Sequence, residues 1–294
     1  MNYIKENALY ITSLCIESID FDDLQSKELF SAMINCKKLT RLNTSSKICI
    51  ADQQLKLLGK CTPIRDLHLC MHDDATDQGF ACIQNLKHLE SLKLSASGPS
   101  KVTGVGIQAL ANLEKLKKLD LDSLFKLEKD NVMEGVCKLK DLESLMFSLN
   151  SWEKEAFKKL PNLTKLKALE VFGSFGCLIE EISNLAHLEK LVVSEDDDDL
   201  DREEFAKLSS LTNLKVLNLT SIDNLTDEML EVVAGFSQLK VLSLDFCGQI
   251  TDKGVEKLRN LKHLEKIDLF NTSVSENISE MVSKKFASSP VVWI

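Results

Sequence analysis

The pattern L-x-x-L-x-L returns along the whole chain, and no other feature restricts the fold as strongly. Its first apolar positions are Ile11, Leu39, Ile64, Leu89, Leu116, Leu142, Leu166, Leu188, Leu214, Leu239 and Leu264, at intervals of 28, 25, 25, 27, 26, 24, 22, 26, 25 and 25 residues. Another 25 residues lead to Ser289, with Val292 and Ile294 on the two later apolar positions. Columns not used to define this register test it. Three residues before each anchor stand Ala8, Cys36, Cys61, Leu86, Leu113, Leu139, Leu163, Leu185, Leu211, Phe236, Leu261 and Phe286, all apolar. Six before, from the second repeat on, stand Met33, Leu58, Ile83, Leu110, Val136, Leu160, Ile182, Leu208, Val233 and Leu258. Two independent columns agree, which excludes chance periodicity.

Apolar residues two apart form one face of a short strand, and apolar residues three apart just upstream form one face of a helix. A single repeat cannot bury both faces, so neighbours must stack into one continuous core. The spacing predicts one α/β solenoid domain over residues 1–294, of about 11 repeats plus a terminal strand in Val291–Ile294. Parallel strands line its concave face and helices its convex face, because helices are wider than strands. Thr76-Asp77, Thr226-Asp227 and Thr251-Asp252 each stand twelve and thirteen residues after an anchor and mark helix starts. Gly79 and Gly254 follow where a small residue allows close packing.

Residues 236–263 read FSQLKVLSLDFCGQITDKGVEKLRNLKH. With its L-x-x-L-x-L-x-x-C-x-x-I-T-D-x-G run, this stretch resembles the cysteine-containing leucine-rich repeats of F-box/LRR proteins, the substrate receptors of cullin-type ubiquitin ligases. The resemblance places Cys247 at that family's buried cysteine position, Ile222 at the same point of residues 211–238, and Cys36 and Cys61 at its other cysteine site. It covers essentially the whole chain. It implies a leucine-rich-repeat fold and protein recognition. The repeats begin by residue 11, which leaves no room for an F-box, and no P-loop is present. Repeats 142–213 are shorter and lack the Thr-Asp cap.

A hydrophobic fraction of 44% and a charged fraction of 28% fit a folded soluble chain. A net charge of −9, from 45 acidic and 36 basic side chains, argues against a nucleic-acid binder tracking phosphates. No run approaches the ~18–20 apolar residues of a membrane span. Nine cysteines, an odd number without a CxxC pair, predict thiols in a reducing, cytoplasmic setting. The N-terminus lacks the features of a signal peptide. The alternative is secretion into a host cytosol without a classical signal. The basic set is 32 Lys to 4 Arg, as an AT-rich genome would produce.

No catalytic signature is present: G-x-S-x-G, G-x-x-x-x-G-K and H-E-x-x-H are all missing. His88, His187 and His263 each precede an anchor, which is a feature of the repeat. Asp66, His68 and Cys70 alternate on one strand and, with His72, have the types of a metal set, although a solvated strand face needs the same polarity. The expectation is no enzyme activity, no metal and no cofactor. The run EDDDDLDREE, 195–204, follows the strand anchored at Leu188 and reads as a solvated insertion or a contact for a basic protein surface.

The strand face is the default binding surface of a solenoid. Positions two, four, six and seven after each anchor should line it. Early repeats place Arg41, Asn43, Asp66, His68, Lys93, Lys118, Asp120 and Asp122 there. Later repeats place Met146, Phe172, Val192, Val216, Val241, Phe246, Phe270 and Trp293 there. Large apolar groups on an exposed face mark a partner site. The expected function is protein–protein recognition, as substrate recognition in a ubiquitin-ligase context or as a stand-alone effector or scaffold of an intracellular bacterium acting on host proteins. Ten residues are a short cap for the first strand, so self-association through the N-terminal repeat is a further expectation.

Overall fold

The residues three and five after each anchor point inward, and they are the ones that bury. Leu67 and Leu69, Leu92 and Leu94, Leu145 and Phe147, Leu217 and Leu219, and Leu242 and Leu244 are all below 3% exposed. Each such side chain contributes about 1.5–3 kcal/mol. The residues two and four after the anchor alternate outward and stay at least partly exposed, as a period of two requires, except Ser243, which is buried.

The computed structural model describes residues 2–16, 23–44, 49–96, 98, 101–121, 129–149, 154–173, 176–196 and 200–278. The predicted terminal strand, with Trp293, and Asp122 lie outside them. The chain divides into two compact units, Met1–Lys165 and Leu166–Ile294.

In the first unit the strands are β1 (Ser13–Ile16), β2 (Arg41–Thr44), β3 (Cys49–Ile50), β4 (Asp66–Met71), β5 (Ser91–Ala96), β6 (Lys118–Leu121) and β7 (Ser144–Leu149). They form a parallel sheet ordered β1-β2-β4-β5-β6-β7, with β3 also paired to β4. Ser13, Arg41, Asp66, Ser91, Lys118 and Ser144 stand in one row, so the sheet register steps with the sequence repeat. Helices α1 (Asn2–Asn7), α2 (Asp23–Met33), α3 (Asp52–Leu58), α4 (Asp77–Phe80), α5 (Gly104–Ile107) and α6 (Lys129–Val136) alternate with the strands.

The second unit contains β8 (Ala168–Gly173), β9 (Lys190–Asp196), β10 (Val216–Ile222), β11 (Val241–Ser243) and β12 (Lys266–Asp268), parallel and in chain order. Ala168, Lys190, Val216, Val241 and Lys266 share its first row. Its helices are α7 (Ile179–Ser183), α8 (Arg202–Ala206), α9 (Leu230–Ala234) and α10 (Asp252–Lys257). One carbonyl joins successive repeats at each turn: Lys215 O accepts from the N–H of Lys240 at 2.8 Å and of Val241 at 3.0 Å, and Lys240 O does the same for Glu265 and Lys266.

Two of the three Thr-Asp pairs cap helices as expected. Thr76 accepts from Gly79 N–H, and Thr251 from Lys253 N–H. At Thr226 the chain first makes a turn, and α9 starts only at Leu230. Thr103 caps α5 without a following Asp, and Asp201 caps α8. The acidic run is therefore not one loop. Glu195 and Asp196 end β9, Leu200 is buried, and Asp201–Glu204 open a helix. Residues 197–199 lie outside the described set.

Candidate interaction surface

On the strand face of the first unit, charges answer one another. Arg41 Nε donates to Asp66 Oδ2 at 3.1 Å, and Lys93 Nζ to Asp120 Oδ2 at 2.7 Å. Partial burial lowers the His68 pKa, Lys93 lowers it further, and Asp120 and Asp66 oppose both. The expected exposed position of Cys70 is corrected. Strand β3 pairs with this end of β4, in the register Cys49↔Cys70, and Cys70 is 1% exposed. Its N–H donates to Thr44 Oγ1, which itself donates to His68 O. Asp66, His68 and Cys70 are thus not brought together as ligands. Among the described residues no three His, Cys, Asp or Glu side chains could hold a metal. Met146 lies half-buried on β7 of the same unit.

Burial pushes the thiols of Cys61, Cys137 and Cys247 up to about 11, the reverse of what a nucleophilic cysteine needs. Cys247 is fully buried, and its Sγ donates to Leu219 O at 3.0 Å. His88, His187 and His263 are exposed in the turns before the strands.

The apolar candidates of the second unit separate into groups. Val216 and Val241 are direct cross-strand neighbours, both half-buried. Val192 stands two residues further along the strands, between Glu170 and Asn218. Phe172 shares its row with Ser194 and Thr220, on the far strand from β12. At about 4.8 Å per strand, it stands some 19 Å from the β12 repeat.

Phe246 and Phe270 do meet. Their ring centroids are 5.3 Å apart at an interplanar angle of 75°, an edge-to-face pair. They are 46% and 55% exposed. The backbone places them there. Ser221, Phe246 and Asn271, each seven residues after an anchor, have positive φ of 61°, 61° and 54°. At the first two of these positions the residue's own N–H reaches across to the neighbouring repeat. Ser221 N–H donates to Asp245 O, and Phe246 N–H to Phe270 O, both at 2.8 Å. Asp245 completes the turn: its Oδ1 accepts from Phe270 N–H at 2.8 Å and its Oδ2 from Ser243 Oγ at 3.3 Å. Asn suits left-handed backbone, whereas a phenylalanine there is uncommon. The 25-residue spacing of the three positions was the signal in the sequence that could have found them.

No family model matches the chain, and no curated protein does. Solved structures do. The chain is similar to the TLR13 chain of a TLR13–ssRNA13 complex, at 19% identity and a TM-score of 0.53, over 90% of this chain and 41% of that one. It is also similar to an internalin (inlF) of Listeria monocytogenes, at 20% identity and a TM-score of 0.49, over 98% and 88%. An internalin C2 (inlC2) of the same organism shows 19% identity and a TM-score of 0.44, over 77% and 84%. The fold is a leucine-rich-repeat solenoid. In solenoid terms, Phe246 and Phe270 occupy the strand ends of two successive repeats, and the valine pair occupies the strand starts.

Proposed function

We propose that this protein is a non-catalytic protein–protein recognition module that holds its partner on the strand face of residues 166–294. The observation that carries the reading is the exposed Phe246–Phe270 pair, one ring of which stands on left-handed backbone. Val216, Val241 and Val192 extend the apolar surface toward the strand starts, and Phe172 belongs to the same proposed set; Met146 is a separate candidate on the first unit, and Trp293 lies outside the described residues. The test is affinity purification with mass spectrometry, comparing the wild type with a folded Phe246→Asn, Phe270→Ser variant. A protein bound by the first and lost from the second supports the reading. A partner retained by both removes it.

Two settings follow for such a module. The T-D-x-G repeat supports substrate recognition in a ubiquitin-ligase context within the cytoplasm, with the adaptor contact supplied by another chain. Co-purification of an adaptor and a cullin tests it. The second setting is a stand-alone effector or scaffold of an intracellular bacterium acting in a host cytosol, with which the 32 Lys to 4 Arg bias is compatible, as it is with an AT-rich eukaryotic genome. A basic protein surface suits the acidic run 195–204. Self-association through the N-terminal repeat draws support from Tyr3, Leu9 and Tyr10, which are 71%, 64% and 75% exposed beside the edge strand β1. Sedimentation of the wild type against a Tyr3→Ser, Tyr10→Ser variant tests that contact.

A further inference from the structure

The strand ends of the second unit combine bare aromatic surface with unbalanced negative charge. At the strand starts, by contrast, the charges are matched: Lys190 Nζ donates to Glu170 Oε1, and Lys266 Nζ to Asp268 Oδ2, both at 2.7 Å. At the strand ends, Asp223 is exposed and Asp245 half-buried, and neither carboxylate has an ion-pair partner among the described residues. Asp245 immediately precedes Phe246 in its repeat, and Asp223 belongs to the repeat before it. The Asp223 carbonyl accepts from Gln249 Nε2 at 2.7 Å, and both carboxylates act on the thiol of Cys247.

We infer that the partner reads this edge with a segment that carries a lysine or arginine beside an aliphatic or aromatic side chain. The inference rests on the recognition function proposed above and names the chemistry of the partner. The apolar side chain packs against the exposed edges of Phe246 and Phe270. The cation sits between the ring of Phe246 and the carboxylates of Asp223 and Asp245, where the ring quadrupole and two negative charges act together. Charge complementarity decides the choice. A neutral apolar segment would leave both carboxylates partly desolvated without a counter-charge, and an acidic one would add repulsion.

The probes are three fluorescein-labelled peptides with the same Leu-Phe-Leu centre, flanked by Lys and Arg, by Ser and Gly, or by Asp and Glu. Binding is read by fluorescence polarisation at low and high salt. The variants are Asp223→Asn and Asp245→Asn, because an asparagine at 245 can still accept from Phe270 N–H and pair with Ser243; thermal melting checks that each folds. The basic peptide is expected to bind, to weaken as salt rises, and to lose about three- to tenfold with each variant. Equal binding of all three peptides, preference for the acidic one, no binding of any, or an unchanged affinity in both variants would overturn the inference. These outcomes leave the recognition function to its own test, since a folded partner lost with Phe246 and Phe270 would still support it.

Discussion

Asp227 accepts two hydrogen bonds from Thr251, one repeat further on: the backbone N–H at 2.8 Å and the hydroxyl at 2.6 Å. The same double contact joins Asp52 to Thr76, Asp77 to Thr103 and Asp252 to Ser275. At Thr76, Thr103 and Thr251 the carboxylate thus anchors the N-cap residue of the next helix, and that residue in turn accepts from an N–H of its own first turn.

The glycine of the motif follows from this contact. A Cβ on Gly254 would fall against Asp227 Oδ1, and one on Gly79 or Gly106 against Asp52 or Asp77, all well inside van der Waals contact. Gly254→Ala is expected to cost about 1–3 kcal/mol. Asp227→Ala, which strips the partner from the Thr251 amide, should cost a similar amount, about 1–3 kcal/mol. Urea denaturation of both single variants and the double variant checks the coupling. In the double variant the glycine penalty should shrink, because the carboxylate it meets is gone. Strictly additive losses would refute the link.

Phe246→Asn should be nearly neutral for stability although it removes a large ring. Relief of left-handed backbone is worth about 1–3 kcal/mol, and loss of the ring pair costs about 0.5–1.5 kcal/mol. The expected net change lies within about 1–2 kcal/mol of zero or above it. Leu242→Ala, at a fully buried position, should cost about 2–5 kcal/mol. Thermal unfolding of the two variants side by side gives the comparison. A loss for Phe246→Asn as large as that for Leu242→Ala would make the ring structural and weaken its assignment to partner binding.

Thiol chemistry should divide sharply by position. Cys15 is exposed, whereas Cys36, Cys61, Cys70, Cys137 and Cys247 are buried. Burial holds three of these five at about 11. At neutral pH in native buffer, iodoacetamide should label Cys15 readily and Cys247 only after unfolding, as peptide mass spectrometry reads directly. Rapid labelling of Cys247 in the folded protein would contradict the packing of its thiol on Leu219 O.

Stability should fall slightly in mild acid through His68. Partial burial lowers its pKa in the folded chain from the ordinary 6.5, with Lys93 adding to the effect. The unfolded chain then takes up the proton first, so the contribution is complete above pH 6.5 and is lost as pH falls from there through the folded value. Denaturation midpoints at pH 7.5 and 5.5 should differ more for the wild type than for His68→Gln. An identical pH response would exclude His68 as a source.

The repeat register was legible in the sequence because it depends on which residues are apolar and how far apart they stand. The buried pairs Leu67–Leu69 and Leu217–Leu219, the parallel order of the strands and the row from Ala168 to Lys266 all follow from that spacing. Cys70 departed from the alternation because β3, a two-residue strand off the repeat pattern, covers its end of β4. Thr226 departed as a cap because the chain turns over residues 227–229 and the helix begins only at Leu230, so no first-turn N–H of that helix lies two or three residues after the threonine.

The sequence by itself determined the fold class and the inward leucines, since a period of two in the strands and a repeat near 25 residues admit few ways to bury an apolar stripe. Only the tertiary structure decided which side chains meet between repeats. Phe246 and Phe270 are 24 positions apart in the chain, as are Asp227 and Thr251. Both contacts depend on backbone direction at a strand end or a helix start: a left-handed turn in the first, an N-cap in the second. Apolar periodicity carries no record of those angles, and they are settled when neighbouring repeats pack and satisfy each other's backbone N–H and C=O groups.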